Sequence, residues 1–351
     1  MGSKNIFNKP VGVIGAGSFG LSVANLLAEN NDVLLYARKP AVVEEIMAHK
    51  IYDGFEIHSN ITAISDLQQL AESCDIIFPV VPSSNFREMV QTLSPFLKPY
   101  HILIHGTKGL ELSLGEGKSL KDYKKLERKH IRTMSEVIRD ESVVVRIGCL
   151  AGPNLAREIS QKLPAATVIA SPFDEVIQIG QQLLRSDRFQ VYGNKDLIGV
   201  ELCGVLKNII AIASGALGGL HLGENARALL VSRGIAEIIY LGRAMGGQTE
   251  SFIGLAGVGD LVATTHSTLS RNYTVGRRLA EGETLKAILE DMSEVAEGIN
   301  TVRIATKMAE SFKIRAPITE MLYRVLFEET TMEEAVQYLM KYPLNVDVDF
   351  I

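Results

Sequence analysis

The sequence has no tryptophan, only three cysteines and no excess of basic residues. The cysteines Cys74, Cys149 and Cys203 are odd in number and widely spaced, which excludes a disulfide framework and zinc-binding spacing. We interpret all three as buried core residues. The 36 basic and 41 acidic residues give a net charge of −5, whereas nucleic-acid-binding proteins usually carry a basic excess. We therefore predict no nucleic-acid partner.

Long apolar runs are also lacking. The longest uncharged run, Asn208–Gly223, contains four glycines and falls short of the roughly 18 apolar residues that a membrane-spanning helix needs. The amino terminus has no apolar signal core, and the seven histidines match no metal-binding motif. We therefore predict a cytoplasmic protein with no membrane insertion and no bound metal.

The length of 351 residues predicts two domains, because a domain usually has about 100–200 residues. In the first half, short runs rich in Val and Ile alternate with helical stretches, which is typical of a parallel sheet covered by helices on both faces. The predicted strands are Val11–Ile14, Val33–Tyr36, Ile76–Val81, Ile102–Ile104, Val143–Ile147 and Ala166–Ala170. The predicted helices between them include Leu21–Glu29, Ala41–Ala48 and Phe86–Leu97.

After about Asn194 the pattern changes to long segments with a 3.6-residue period. These predicted helices are Leu197–Ser214, Asn225–Met245, Thr274–Leu279, Glu297–Phe312 and Thr319–Phe327. We therefore predict an α/β protein, with a doubly wound domain over residues 1–193 and an all-α domain over residues 194–351. Between Lys118 and Arg132, seven basic residues are interleaved with Asp122 and Glu127. We interpret this run as a solvated helix face, the alternative being an arm that binds nucleic acid.

A glycine-rich turn follows the first predicted strand. The sequence Gly15-Ala16-Gly17-Ser18-Phe19-Gly20 is a G-x-G-x-x-G motif between a strand and a helix. Gly15 permits the tight turn, Gly17 lets the backbone approach a pyrophosphate, and Gly20 lets the helix pack closely on the strand. The amino terminus of the helix then offers N–H groups to the phosphates. We predict a Rossmann-type dinucleotide-binding domain, the alternative being a merely structural turn.

The second strand bears on the choice of cofactor. It ends at Ala37-Arg38-Lys39, and no acidic residue follows until Glu44. NAD-selective sites usually place an acid there to hold the ribose 2′-hydroxyl, whereas an Arg suits a 2′-phosphate. Arg38 therefore favours NADP(H) over NAD(H), unless it only stacks on the adenine or faces solvent.

Two ionisable residues of the second half are candidates for proton transfer. Lys207 lies in an apolar helical segment and either extends its amine to solvent or has a partner there. A Lys that loses its hydration has a lowered pKa and exchanges protons near neutral pH. Asp260 follows three glycines in the segment Gly254–Gly259. It either caps a helix or orients Lys207.

Further polar groups lie at predicted strand ends and in one helical segment. Thr107-Lys108-Gly109 and Gly152-Pro153-Asn154 follow strands, where doubly wound folds bind ligands. Ser270-Arg271-Asn272 offers a forked cation that suits phosphate, although Arg271 could equally form a surface ion pair.

These motifs together resemble the bacterial type of the glycerol-3-phosphate dehydrogenase [NAD(P)+] family. They occur in family order from about residue 11 to Thr319, and any one of them alone is modest. The quoted motifs are GAGSFG, VVPS at Val80–Ser83, TKGLE at Thr107–Glu111, AGPNLARE at Ala151–Glu158, GVLKNIIAI at Gly204–Ile212, GENARALL at Gly223–Leu230, GLAGVGDL at Gly254–Leu261, and SRN at 270–272.

The resemblance implies reversible reduction of dihydroxyacetone phosphate to sn-glycerol 3-phosphate, a precursor of glycerophospholipids, by a homodimer that uses NAD(P)H. It implies that Lys207 is the catalytic proton donor and acceptor. The implied substrate contacts are Lys108, Gly152, Asn154, Lys207, Asp260, Ser270, Arg271 and Asn272. The implied cofactor contacts, beside Gly15, Gly17 and Gly20, are Ser18, Phe19, Arg38, Lys108, Ala156, Arg271, Val295 and Glu297.

Two features depart from the family pattern. Asn154 stands where many bacterial members have Ser or Thr, and the segment after Glu111 is longer than in typical bacterial members, which predicts an insertion.

Two alternative functions remain: a hydroxy- or keto-acid dehydrogenase with the same two domains, and a non-catalytic NADP(H)-binding sensor.

Overall fold

The computed structural model describes residues 8–292 and 296–342. The chain divides into two compact units, of which the first comprises Met1–Glu111 and Thr133–Leu197, and the second comprises Leu112–Arg132 and Ile198–Ile351. The predicted division at residue 193 differs in two respects. It ends the first domain four residues early, and it assigns residues 112–132 to the first domain although they pack with the second unit.

An eight-stranded sheet forms the centre of the first unit, with the strand order β12-β11-β10-β7-β6-β1-β2-β5. Its strands are β1 (Val11–Ile14), β2 (Val33–Tyr36), β5 (Ile61–Ile64), β6 (Ile76–Pro79), β7 (Ile102–His105), β10 (Arg146–Ala151), β11 (Ala165–Ala170) and β12 (Phe189–Asn194). Two short ribbons pair β3 (Ile51–Tyr52) with β4 (Phe55–Glu56), and β8 (Leu110–Leu112) with β9 (Ile131–Thr133).

Several strand predictions need correction. The sheet is not wholly parallel, because β10 and β11 pair antiparallel, with Leu150 opposite Ile169. The strand predicted at Val143–Ile147 begins three residues later, since Val143 and Val145 are exposed and the buried register starts near Ile147. Strands β5 and β12 were not predicted from the sequence. The predicted bounds of β1 and β2 are confirmed.

Helices cover both faces of this sheet. They are α1 (Ser18–Ala28), α2 (Pro40–His49), α3 (Leu67–Ser73), α4 (Phe86–Leu93), α5 (Met134–Glu141), α6 (Ala156–Ser160) and α7 (Asp174–Leu184). Alternate residues of β1 enter two different hydrophobic clusters, Val13 with residues of α1 and Ile14 with residues of α3, α4 and α5. Successive side chains of a strand point to opposite faces, so apolar residues at consecutive positions require a cover on each face. The predicted doubly wound α/β fold is confirmed.

The described part of the second unit is mainly helical, and its strand residues lie at the two ends of the segment 112–132. Its helices are α8 (Leu197–Gly219), α9 (Gly223–Ala244), α10 (Thr249–Ile253), α11 (Asp260–His266), α12 (Arg271–Ala280), α13 (Leu285–Asp291), α14 (Glu297–Phe312), α15 (Pro317–Phe327) and α16 (Met332–Lys341). Helix α8 is long and apolar enough to cross a membrane by length and composition, but 94% of its most apolar window is buried in the protein. It is therefore a core helix.

Helices α8 and α12 touch backbone to backbone. A Cβ atom at Gly276 would lie 1.8 Å from the carbonyl oxygen of Ile212, so only glycine permits this approach. The close contact fixes the start of α12, which carries Arg271 and Asn272, against the helix that carries Lys207.

The segment 112–132 is not the helix that its charge pattern predicted. It contains two 3₁₀ turns, Leu120–Asp122 and Arg128–His130, joined by an irregular stretch. Leu126 is fully buried, and its N–H donates to Ser311 Oγ on α14 at 2.8 Å. Burial of Leu126 and the hydrogen bond from its N–H connect the segment to α14 of the second unit.

Candidate functional site

The glycine-rich turn has the geometry that a phosphate cradle needs. Gly15 adopts φ = +119°, and a Cβ there would lie 2.2 Å from the carbonyl oxygen of Val80. A Cβ at Gly20 would lie 1.9 Å from the carbonyl oxygen of Gly15. Both positions therefore exclude any side chain. Gly15 faces the chain that follows strand β6, and Gly20 brings helix α1 directly against the turn after strand β1.

The amino terminus of α1 is open to a ligand. Its N-cap residue is Gly17, which has no side chain to cap the first N–H groups and has open space around its Cα. Backbone N–H groups at a helix start bind phosphate well. Ser18 Oγ lies 3.4 Å from Asp53 Oδ2. Phe19 packs against Gly106 at the end of β7. These residues fit the pyrophosphate of a dinucleotide.

The other implied cofactor residues occupy both units. Arg38 is exposed just after β2, with no acidic residue before Glu44, as a 2′-phosphate would require. Ala156 begins α6, and its carbonyl oxygen accepts a 3.0 Å hydrogen bond from Ser22 of α1. Glu297 is the first residue of α14 in the second unit. Val295 lies outside the described residues.

Three implied substrate residues meet at one edge of the sheet in the first unit. Lys108 Nζ lies 3.5 Å from the carbonyl oxygen of Gly152, and the N–H of Asn154 donates to the same oxygen at 2.8 Å. Asn154 Nδ2 donates to Thr167 Oγ1 at 2.9 Å. Its amide oxygen is buried without a hydrogen-bond partner in the part of the chain that the structure describes, so it offers an acceptor to a ligand hydroxyl.

Lys207 and Asp260 form a buried ion pair in the second unit. Lys207 Nζ lies 2.5 Å from Asp260 Oδ1, and the two residues are only 5% and 2% exposed. Lys207 therefore does not extend to solvent, and the side chain of Asp260 binds this cation rather than capping α11, whose N-cap is Gly259. An ammonium group in such a site is held at one position and is available to donate a proton.

Thr264 completes this centre and was not predicted from the sequence. Its Oγ1 contacts Lys207 Nζ and donates to the carbonyl oxygen of Asp260 at 2.6 Å. Thr264 lies four residues after Asp260, hence on the same face of α11. That spacing is the signal in the sequence, but α11 itself was not among the predicted helices.

The three residues of the SRN motif have different local environments. Ser270 is the N-cap of α12, and its Oγ accepts the N–H of Tyr273 at 3.3 Å. Asn272 is buried, and its Oδ1 accepts the N–H of Gly298 at 3.0 Å, which joins it to the start of α14 beside Glu297. Arg271 is exposed at the first position of α12. Within residues 8–292 and 296–342, no group of three or more His, Cys, Asp or Glu residues is arranged to hold a metal ion.

Comparison with known proteins agrees with this arrangement. The family model for the amino-terminal part of NAD-dependent glycerol-3-phosphate dehydrogenase matches residues 10–176, and that for the carboxyl-terminal part matches residues 196–337. The chain is 38% identical to glycerol-3-phosphate dehydrogenase [NAD(P)+] of Saccharophagus degradans, over 97% of this chain and 92% of that relative. It is 40% identical to the Geobacter metallireducens enzyme of the same name, over 94% of this chain and 96% of that one.

A solved structure agrees as well. The crystal structure of glycerol-3-phosphate dehydrogenase from Coxiella burnetii matches with a TM-score of 0.85 and 34% identity, covering 95% of this chain and 99% of that one. The open phosphate turn, the buried Lys207–Asp260 pair and these matches over nearly the whole length lead to one conclusion. The chain belongs to the NAD-dependent glycerol-3-phosphate dehydrogenase family.

Proposed function

We propose that the protein catalyses the reversible, NAD(P)H-dependent reduction of dihydroxyacetone phosphate to sn-glycerol 3-phosphate. The observation that carries this proposal is the buried contact of Lys207 with Asp260 and Thr264. Reduction of a ketone needs a proton for the oxygen at the moment when hydride reaches the carbon. A fixed ammonium group in a dry site supplies that proton.

Most of the proposed cofactor contacts lie in the first unit, and Arg271, Val295 and Glu297 belong to the second. The N–H groups at the start of α1 and the backbone at Gly17 bind the pyrophosphate, and Arg38 binds the adenosine end. When bound, the reduced nicotinamide supplies the hydride. The chain contributes binding, orientation and the exclusion of water.

Lys207 transfers the proton. Its ammonium N–H donates to the carbonyl oxygen of the substrate, stabilises the charge that develops there, and passes the proton as the alcohol forms. The carboxylate of Asp260 favours the ammonium form, and Thr264 helps to fix Nζ in position. In the reverse direction, neutral Lys207 accepts the hydroxyl proton.

The remaining implied contacts orient the substrate. Arg271 supplies a bidentate cation to the phosphate, and the amide of Asn272 donates to it, since its oxygen is occupied by Gly298. Lys108 and the amide oxygen of Asn154 bind the polar groups at the other end of the substrate. Binding of the remote phosphate lowers the barrier by holding the reacting atoms in place.

The direct test is the near-ultraviolet absorbance of the reduced nicotinamide. Purified protein is mixed with dihydroxyacetone phosphate and either NADPH or NADH. A fall in absorbance that depends on the substrate supports the proposal. No fall, in a protein that still binds NADPH, would favour the sensor; turnover of a keto acid instead would favour the other dehydrogenase.

The preference for NADPH has its own prediction. Arg38→Ala should raise the KM for NADPH by about tenfold or more, because it removes a charged contact to the 2′-phosphate, and should change the KM for NADH little. Lys39→Ala, at the adjacent exposed position, is the control. Equal effects of Arg38→Ala on both cofactors would remove the argument for the 2′-phosphate.

We further propose a cytoplasmic homodimer that supplies glycerophospholipid synthesis. The support for self-association is that the second unit exposes large apolar side chains, among them Leu222, Leu229, Ile253, Val262 and Leu269. Light scattering after size-exclusion chromatography measures the mass of the assembly. A mass of one chain at micromolar concentration would contradict the dimer.

A further inference from the structure

Thr167 lies beside the proposed substrate contact Asn154 but belongs to none of the motifs that carry the family resemblance. It is a fully buried residue of strand β11. Its Oγ1 lies 3.0 Å from the carbonyl oxygen of Ala151 and 2.9 Å from Nδ2 of Asn154. The hydroxyl therefore joins the last residue of β10 to a side chain of the loop that follows that strand.

The hydrogen bonds of Thr167 determine how the amide group of Asn154 is oriented. The hydroxyl has one hydrogen, and the carbonyl oxygen of Ala151 can only accept it. The lone pairs of Oγ1 then face Asn154 and need a donor, which within that amide group only the nitrogen supplies. The amide oxygen is consequently turned away from Thr167.

The backbone at Asn154 is fixed as well. Its N–H donates to the carbonyl oxygen of Gly152 at 2.8 Å. Gly152 adopts φ = +142°, and a Cβ there would lie 3.3 Å from Cα of Thr167, so the loop passes close against β11. Because both the backbone and the amide nitrogen are held, the amide oxygen occupies one position.

The amide oxygen of Asn154 is buried and has no hydrogen-bond partner among the residues that the structure describes. A buried acceptor without a partner costs free energy, and a ligand that brings a donor recovers part of it. A hydroxyl group brings such a donor, whereas an ionised carboxylate has only acceptors. The fixed oxygen therefore distinguishes between these two groups.

We propose that Thr167 is a positioning residue that sets substrate specificity, an inference that rests on the proposed function. It holds the amide oxygen of Asn154 toward the substrate, where this oxygen accepts the hydroxyl of the hydroxymethyl group of dihydroxyacetone phosphate. A keto acid with a carboxylate at the same carbon brings a lone pair against that oxygen and is rejected. Thr167 acts only through Asn154.

Lys108 does not account for this discrimination. Its Nζ lies 3.5 Å from the carbonyl oxygen of Gly152, on the loop that carries Asn154. A cation attracts a carboxylate more strongly than it attracts a hydroxyl group. Rejection of the keto acid therefore depends on the orientation of the Asn154 amide.

Two substrates that differ at one carbon test this orientation. The second substrate, 3-phosphohydroxypyruvate, has a carboxylate in place of the hydroxymethyl group of dihydroxyacetone phosphate, and the ketone and the phosphate are the same in both. The measured quantity is the selectivity ratio, which is kcat/KM for dihydroxyacetone phosphate divided by kcat/KM for 3-phosphohydroxypyruvate, both with NADPH. The natural chain should have a selectivity ratio of about 10² or more. A ratio near one would overturn the proposal.

Thr167→Val keeps the shape of the side chain and removes its hydroxyl. The amide of Asn154 then loses its acceptor and can turn its nitrogen toward a bound carboxylate. The selectivity ratio should fall by about tenfold or more, through a higher KM for dihydroxyacetone phosphate and a lower KM for 3-phosphohydroxypyruvate. The kcat for dihydroxyacetone phosphate should change by about threefold or less, because Lys207 is untouched.

A merely structural role of Thr167 would give a different result. Damage to the strand lowers kcat/KM for both substrates together, so an unchanged selectivity ratio would overturn the proposal. Thr167→Ser keeps the hydroxyl and should keep the ratio within about twofold of the natural value. A loss of selectivity in Thr167→Ser as large as in Thr167→Val would also overturn it. Thr167→Ala removes the same hydroxyl and serves if Thr167→Val does not fold.

Ser171→Ala is the matched control for loss of a buried hydroxyl. Ser171 is fully buried just after β11, and its Oγ donates to the carbonyl oxygen of Ile147 on β10 at 2.7 Å. It therefore bridges the same two strands as Thr167. Its hydrogen-bond partners in the described part of the chain are Ile147, Phe173 and Asn194, none of which is an implied site residue. The selectivity ratio should stay within about twofold, and a fall equal to that of Thr167→Val would overturn the proposal.

Nuclear magnetic resonance tests the hydrogen bond without turnover, so its result is separate from that of the proposed function. Asparagine is labelled with a heavy nitrogen isotope, and the side-chain signal of Asn154 is identified by its loss in Asn154→Ser. The Nδ2 hydrogens should exchange with water at least about tenfold more slowly in the natural chain than in Thr167→Val. Equal exchange would overturn the proposed orientation even in an active dehydrogenase. Slow exchange in a chain that reduces neither substrate would contradict the proposed function, and with it the specificity role, but not the hydrogen bond.

Discussion

Two buried carboxylates of the helical unit differ in the charge of their hydrogen-bond partners. Asp260 is 2% exposed and faces the ammonium of Lys207 at 2.5 Å. Glu237 on α9 is 4% exposed, and its hydrogen-bond donors among the described residues are neutral groups. These donors are the N–H groups of Ile318 and Thr319, at 2.6 and 3.1 Å, and the hydroxyl of Thr319, at 2.9 Å.

Glu237 caps a helix that lies far from it in the sequence. Helix α15 begins with Pro317, and its N-cap residue Ala316 has no side chain that could accept from the first turn. Glu237 supplies the acceptors instead, from a helix about 80 residues earlier in the chain. Burial nevertheless raises its pKa to about 7, because loss of hydration outweighs the three hydrogen bonds.

The comparison shows what a cationic partner changes. Removing a carboxylate from water costs free energy in both places, and neutral donors recover only part of it. A buried ammonium balances the charge itself and adds a transferable proton. The Asp260 site therefore suits chemistry, whereas the Glu237 site stabilises the fold. Each of the following predictions tests this difference.

The largest effect is expected at Lys207. Lys207→Ala should lower kcat by about 10²–10⁴-fold, the usual contribution of a positioned general acid, while NADPH binding is kept. Single-turnover kinetics and an NADPH titration measure the two properties. Near-normal turnover in this variant would contradict the proposed role of Lys207.

The same substitution should also reduce stability, because it leaves Asp260 buried without a cation. Breaking a buried pair on one side costs about 3–5 kcal/mol. The double variant with Lys207→Met and Asp260→Asn should recover most of the unfolding free energy and none of the activity. Recovery of activity there would show that the pair has only a structural role.

An intermediate effect is expected at Glu237. Glu237→Ala should lower the unfolding free energy by about 3 kcal/mol, because three buried donors lose their acceptor. The kcat should change little. Glu320→Gln, at a half-buried position in the first turn of the same helix, is the matched control and should change the unfolding free energy by less than about 0.5 kcal/mol.

The smallest effect is the pH dependence. The folded pKa of Glu237, about 7, lies above its ordinary value of 4.5, so the folded state binds this proton more tightly than the unfolded state. Its contribution to stability is complete below pH 4.5 and is lost as the pH rises through about 7.

Denaturant unfolding from pH 4.5 to pH 7 tests the sign. Glu237→Gln has no proton to lose at this position and is the reference. Relative to it, the natural chain should lose stability with rising pH, at no more than about 1.4 kcal/mol per pH unit for one proton. A difference that stays flat or rises with pH would contradict the raised pKa.

Strands whose side chains are buried on both faces of the sheet were the easiest part of the fold to predict. Val11–Ile14 is apolar at all but its glycine position and is followed by glycine, so its type and bounds agree with the structure. In β12, by contrast, exposed Gln190 and Tyr192 alternate with buried Phe189 and Val191. So short an alternation, at the sheet edge, gives too weak a signal for a buried strand.

The residues of the candidate functional site also differ in how well the sequence predicts them. The phosphate turn was predictable because a strand, three spaced glycines and a helix specify it locally. The sequence does not identify the partner of Lys207, because Asp260 lies 53 residues away and equally suits a helix cap. Thr264 was missed because α11 is a short helix without a clear apolar period.

The family, the dinucleotide turn and the order of an α/β part followed by a helical part can all be predicted from the chain alone. Each depends on local spacing or on periodic apolar residues, which act over one or two elements. Tertiary structure decided the ion pair of Lys207, the cap that Glu237 gives to α15, and the attachment of residues 112–132 to the helical unit through Leu126. Each of these joins residues far apart in the chain, and the desolvation free energy that selects the partner exists only once the core has closed.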